Sequence, residues 1–199
     1  ILSLTGDCFM QKPFWKYKKN ESLIKDLINI IKACSNLKIK YIIYPLVDNS
    51  SLKKKVEEKK FIFQLKKIKS TLKQHKVKIL FESDYSPINL KKFIEKFDKN
   101  YFGINYDTGN SSGLGYNIDE EFKLYGKYIH NVHIKDRVLK GNTVRLGAGN
   151  ANFGKLFLNL KKINYKNLLI LQTARSHVNN HVNEIKINLN FLKNFQINY

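Results

Sequence analysis

Residues 102–110 read FGINYDTGN, and the alternation inside this stretch opens the way to the fold. Successive side chains of a strand point to opposite faces, so Ile104 and Tyr106 share one side while Asn105 and Asp107 share the other. The first side suits packing against helices. The second ends on a carboxylate at the C-terminal tip of the strand. Three further segments repeat the plan. KILFESD, residues 78–84, sets Leu80 and Glu82 against Ile79 and Phe81. IHNVHIKDR, residues 129–137, sets Asn131, His133 and Lys135 against Val132 and Ile134. LLILQTAR, residues 168–175, sets Ile170 and Gln172 against Leu169 and Leu171. Glu82, Asp107, His133 and Gln172 therefore bring two carboxylates, an imidazole and an amide oxygen to four strand ends, the donor types of one divalent-metal site.

Working outward, short apolar runs at Ile1–Leu4, Tyr41–Tyr44, Lys78–Phe81, Phe102–Tyr106, Asn131–Lys135 and Leu168–Leu171 read as strands. Amphipathic stretches between and after them predict helices over Ser22–Asn36, Leu52–His75, Ile88–Phe97, Asp119–Tyr128, Phe153–Ile163 and Val182–Phe195. Pro87 and Asp119 serve as start signals for two of these. Six βα units in a row imply a parallel sheet with helical crossovers. Residues 1–199 are expected to form a single domain. An open doubly wound sheet fits the pattern, and so does a (β/α)8 barrel from which two units are absent. The polar strand ends favour the barrel, whose functional groups come from the C-terminal ends of several strands, whereas an open sheet gathers them at one switch point. The expected fold class is thus α/β of the (β/α)8 TIM-barrel type. Directly after Asp107, the Gly-rich run TGNSSGLGYN at 108–117 lacks the lysine of a P-loop and the spacing of a dinucleotide fingerprint. It is expected to be a substrate-contacting loop.

The formal charge is +20, yet basic residues are spread along predicted helices, as in SLKKKVEEKKFIFQLKKIKSTLKQHK, with apolar positions at helical spacing. That distribution describes a solvated outer face rather than a nucleic-acid groove, while leaving a general attraction to polyanions. Of 36 basic residues only Arg137, Arg145 and Arg175 are arginine, and all fall in the last third. A chain that uses lysine almost everywhere can reserve the planar guanidinium for gripping phosphate, carboxylate or sugar oxygens. Cys8 and Cys34 lack the spacing of a disulfide framework or a zinc site, which fits a reducing, cytoplasmic setting. No run of about 18 apolar residues suggests a membrane span. The chain opens on Ile1 already inside a strand, as a chain lacking N-terminal elements would.

These motifs are similar to those of a known family. Strand–Glu, YDTGN, HIKDR and LGAGNANFGKLFLNLKKINYKNLLILQ resemble the last part of the xylose-isomerase-like barrels, the sugar and sugar-phosphate isomerases and epimerases. The DTGN and HxKD wording is most similar to the hexulose-phosphate epimerase branch. The resemblance covers about residues 78–175, and the segment from Ile1 to Met10 looks like an earlier strand of the same barrel. It implies that the six strands are the third to eighth, with the N-terminal two units absent. It also places metal ligands on Glu82, Asp107 and His133, with the fourth at Gln172, a position that is normally glutamate. Asn110 stands where other branches carry a histidine. The repair endonucleases of this barrel use that histidine in a zinc cluster, so Asn110 counts against a DNA-acting member.

For a sugar isomerase or epimerase, a proton must leave the carbon beside a carbonyl, and a divalent ion stabilises the enediolate that forms. The oxygen-rich donor set favours Mn²⁺, Mg²⁺ or Co²⁺ and also admits Zn²⁺. The resemblance implies that carboxylates at 82 and 172 flank the substrate. Gln172 keeps a coordinating oxygen but cannot act as a base, which leaves Glu82 and favours an isomerisation that returns the proton to the same face. Asp136, Lys135, Asp84 and His177 are candidates for the missing acid. Asn110, Lys135, Arg137 and Arg175 are expected to contact substrate, a sugar or sugar phosphate, and Asp136 to orient His133. Phe14 and Trp15 fit core packing or a wall over the sugar. The competing expectation is a relative that binds a carbohydrate or metabolite without turning it over. An incomplete barrel exposes strand edges, so a homo-oligomer is expected.

Overall fold

The computed structural model describes residues 1–176 and 178–195. Six strands form one sheet in the order β1 (Ser3–Thr5), β2 (Tyr41–Leu46), β3 (Lys78–Ser83), β4 (Phe102–Asp107), β5 (Ile129–Ile134) and β8 (Leu169–Leu171). This is the α/β plan of a TIM barrel carried by six parallel strands, as the alternation predicts. Two short strands, β6 (Asp136–Arg137) and β7 (Thr143–Val144), pair separately as an antiparallel ribbon.

The chain divides into two compact units, one ending at Asn105 and one beginning at Tyr106. In the first, α1 (Asp7–Gln11) and a 3-10 turn at Phe14–Lys16 precede α2 (Glu21–Asn36). Then α3 (Lys55–Lys67) and α4 (Lys69–His75) link β2 to β3, and α5 (Pro87–Ile94) links β3 to β4. The core is largely aromatic. Phe61 is fully buried, with Trp15, Tyr44, Phe14, Phe81 and Phe93 around it at centroid distances of 4.9, 5.4, 5.6, 5.7 and 6.1 Å. Phe14 and Trp15 are thus core residues, the first of their two expected roles. The helix expected over Leu52–His75 starts later and breaks at Ile68, which caps both α3 and α4. The break leaves Leu65, Ile68 and Leu72 all buried, so one apolar stripe survives the change of direction. Lysines 53–55, 59, 60, 66, 67, 69 and 73 are exposed, the solvated face that their spacing implies.

In the second unit, α6 (Thr108–Leu114) and α7 (Ile118–Tyr125) follow β4, α8 (Phe153–Lys162) precedes β8, and α9 (His181–Lys193) follows it. The Gly-rich run expected to be a loop is mostly α6, capped by the Asp107 side chain and closed at Gly115, where φ is +76°. Asn117, rather than Asp119, caps α7, accepting from the N–H groups of Asp119 and Glu120. Among the described residues no helix is long and apolar enough to cross a membrane.

Candidate metal centre

Asp107 ends β4 and begins α6, and that double position orients it. Its Oδ1 accepts the Asn110 N–H at 2.8 Å, the ordinary cap bond at a helix start. Its Oδ2 faces His133 Nδ1 at 3.9 Å and Lys135 Nζ at 3.5 Å. Glu82, one residue before the end of β3, accepts a hydrogen bond from Asn105 Nδ2 at 2.7 Å. Asn105 lies two residues before Asp107 and so on the same strand face, a neighbour that the alternation identified without a role. Glu82 in the first unit and Asp107 and His133 in the second are all buried. Two carboxylates and an imidazole are donors that suit a divalent ion, since buried anionic oxygens call for a concentrated positive charge.

Thr108 secures the neighbouring strand. Its hydroxyl lies on the carbonyl of Lys135 and 3.3 Å from that of His133, while its Oγ1 accepts the Lys135 N–H at 2.9 Å. Sequence reasoning missed Thr108, although its place beside Asp107 at a helix start was the available signal. Asn110 Oδ1 accepts from Lys135 Nζ at 3.3 Å and from Arg137 Nη1 at 3.2 Å, so three of the expected substrate residues meet. Arg137 also donates through Nε and Nη2 to the Gly141 carbonyl at 3.2 and 2.9 Å.

Other expected residues go elsewhere. Asp136 does not orient His133: its fully buried carboxylate accepts three backbone N–H groups, from Gly147, Gly149 and Ala151, each at 2.9 Å. A Cβ on Gly149 would lie 2.3 Å from Asp136 Oδ1, so only glycine permits the loop to close on that carboxylate. The LGAGNA wording is thus the imprint of a buried anion holding a loop. Gln172 lies one residue past β8 with its N–H on the Ile134 carbonyl at 3.0 Å; its side chain is exposed and hydrogen-bonds to no described residue. Arg175 is exposed. Asp84 accepts from the Ser51 hydroxyl, and burial pushes its pKa up. His177 lies outside the described residues.

The chain belongs to the xylose isomerase-like TIM barrel family, whose sequence profile matches residues 16–195. No curated protein sequence matches it. Among solved structures it is similar to a xylose isomerase domain protein from Planctomyces limnophilus, at 18% identity and a TM-score of 0.76 over 90% of this chain and 68% of that one. The IOLI protein, solved with a bound zinc atom, aligns at 17% identity and a TM-score of 0.75 over 99% of this chain and 76% of its own. D-psicose 3-epimerase from Clostridium cellulolyticum H10, solved with D-tagatose, aligns at 13% identity and a TM-score of 0.71 over 88% and 71%. At these identities the likeness establishes the fold.

Proposed function

We propose that the protein is a divalent-metal-dependent isomerase or epimerase of a sugar or sugar phosphate, acting through an enediolate. The observation that carries this reading is the set of buried donors near the C-terminal ends of three strands, Glu82 in the first unit and Asp107 and His133 in the second. The zinc atom of the IOLI protein and the sugar epimerases among the structural neighbours support it. A divalent ion bound there would stabilise negative charge developing on the substrate's carbonyl oxygen. Glu82 is the base that removes the proton beside the carbonyl, and Asn105 holds its Oε2 in place at 2.7 Å. Asp107 and His133 are the other two ligands, and the exposed Gln172 side chain would have to turn inward to supply a fourth oxygen. With Gln172 unable to move a proton, one base serves both halves of the reaction, which favours a 1,2-isomerisation over an epimerisation.

Metal analysis of the purified chain, followed by solvent-deuterium incorporation into a panel of ketoses and ketose phosphates, tests the reading. Bound metal together with exchange that Glu82→Gln lowers by 10² or more is the expected result. Bound metal without exchange into any sugar would instead favour the second reading, a carbohydrate- or metabolite-binding relative, which the amide at Gln172 supports.

A further inference from the structure

We propose that Lys135 and Arg137 form an anion clamp that anchors the phosphate of a phosphorylated sugar; the inference rests on the metal-dependent sugar reading and names its substrate class. Gly109 and Gly113 lie one turn apart on α6, and each makes room for a cationic side chain. A Cβ on Gly109 would meet Lys135 Cγ at 2.6 Å, and one on Gly113 would meet Arg137 Nε at 3.2 Å. Both side chains therefore lie along the glycine face of α6, and their charged ends converge on the single oxygen Asn110 Oδ1, at 3.3 and 3.2 Å.

The shared acceptor is a neutral amide; Lys135 also pairs with Asp107 Oδ2 at 3.5 Å, whereas Arg137 meets the amide without a carboxylate beside it. Among the described residues the acceptors of Arg137 are neutral, the Asn110 amide and the Gly141 carbonyl. Among the described residues no carboxylate pairs with it. Arg145 makes the contrast, since Glu184 accepts from its Nε at 2.6 Å and its Nη2 at 2.8 Å. In a chain with only three arginines, one is neutralised by a carboxylate fork and another is fixed and left cationic. Three of the five N–H groups of Arg137 are engaged, so two remain for a ligand. Together with the Lys135 ammonium they match the oxygens of a phosphate monoester: a planar fork beside a point charge. Lys135 Nζ also lies 3.5 Å from Asp107 Oδ2, so an anion on the clamp sits beside a residue of the metal triad. Asp136 contributes rigidity, because its grip on residues 147–151 fixes the backbone between Lys135 and Arg137.

Titration calorimetry of the full chain with D-xylulose 5-phosphate, D-xylulose and inorganic phosphate tests the clamp. The phosphorylated ketose is expected to bind at least about tenfold tighter than the free ketose, and Arg137→Gln to bring that ratio near one. Arg137→Lys should keep part of the preference, and circular dichroism confirms that each variant folds. Glu82→Gln should weaken Mn²⁺ binding while leaving the affinity for inorganic phosphate within about twofold, which separates failure of the clamp from failure of the metal reading. A wild-type protein that binds both ketoses equally, or a preference that persists in folded Arg137→Gln, would overturn the proposal. So would loss of phosphate binding in Glu82→Gln, which would place the anion on the metal instead.

Discussion

Glu58 and Glu121 are both buried glutamates, one in each unit of the chain, and their acidities move in opposite directions. Burial works to raise the pKa of Glu58, but hydrogen bonds from Lys96, Tyr85 and Lys55 outweigh it and bring the carboxyl below its ordinary range. Burial likewise raises Glu121, and its donors are the neutral hydroxyls of Ser111, Tyr125 and Tyr106, which recover only part of the cost. Glu58 has cationic partners, whereas Glu121 is more deeply desolvated and meets only hydroxyls, and both differences separate the two acids in the same direction. The same contrast runs through the two interiors. The first unit is built on rings around Phe61, whereas Asp107, Thr108, Ser111, Glu121, Asn131, His133 and Asp136 are all buried in the second. The contrast is one of proportion, since the first unit also buries Glu58, Glu82 and Asn105 and the second also buries Val132, Ile134, Leu156 and Leu160.

The sharpest way to break this contrast is Phe61→Ala, which removes the ring that five others surround. A loss of about 3–5 kcal/mol in urea unfolding is expected. A loss below about 1 kcal/mol would show that the aromatic cluster does not hold the first unit together. Asp136→Asn is the matching test of the second interior. The amide retains one acceptor oxygen where the carboxylate had two, so about 1–3 kcal/mol should be lost. Amide exchange at Gly147, Gly149 and Ala151 should rise with it, and unchanged exchange there would deny Asp136 its anchoring role.

The smallest effects come from the two glutamates as pH changes. For Glu121 the folded pKa is raised, so its contribution is fully present below the unfolded value near about 4.3 and is lost as pH rises through the folded one. Wild-type stability should therefore decline over that interval, and Glu121→Gln should flatten the decline. For Glu58 the folded pKa is lowered, so its contribution is present above the unfolded value and lost as pH falls through the folded one. Glu58→Gln should cost up to about 1 kcal/mol at pH 7, because Lys55 and Lys96 are solvent-screened, and should remove the acid-side loss. Parallel pH profiles for the two variants would erase the distinction between them.

Much of the candidate site was legible from local pattern. Asn105 and Asp107, and Asn131 and His133, fall on the same strand faces wherever the strand runs, because the period of two is a property of the extended backbone. The Gly-rich run after Asp107 departs from the expected loop for a related reason. Glycine and serine favour turns, yet here the Asp107 cap starts a helix whose glycines accommodate Lys135 and Arg137, residues more than twenty positions away. Asp136 departs from its expected role because adjacency in sequence suggests a partnership with His133, while its partners lie 11 to 15 residues downstream.

By itself, then, the sequence determined the βα alternation, the faces of the strands and the types of donor at their ends, all set by short-range backbone geometry. Tertiary structure decided which acid meets a cation, which meets hydroxyls and which closes a loop. It also decided that Arg145 is neutralised by Glu184 while Arg137 is held on a neutral amide. Those outcomes depend on side chains brought together from distant positions, and their electrostatic environment exists only once the chain has folded.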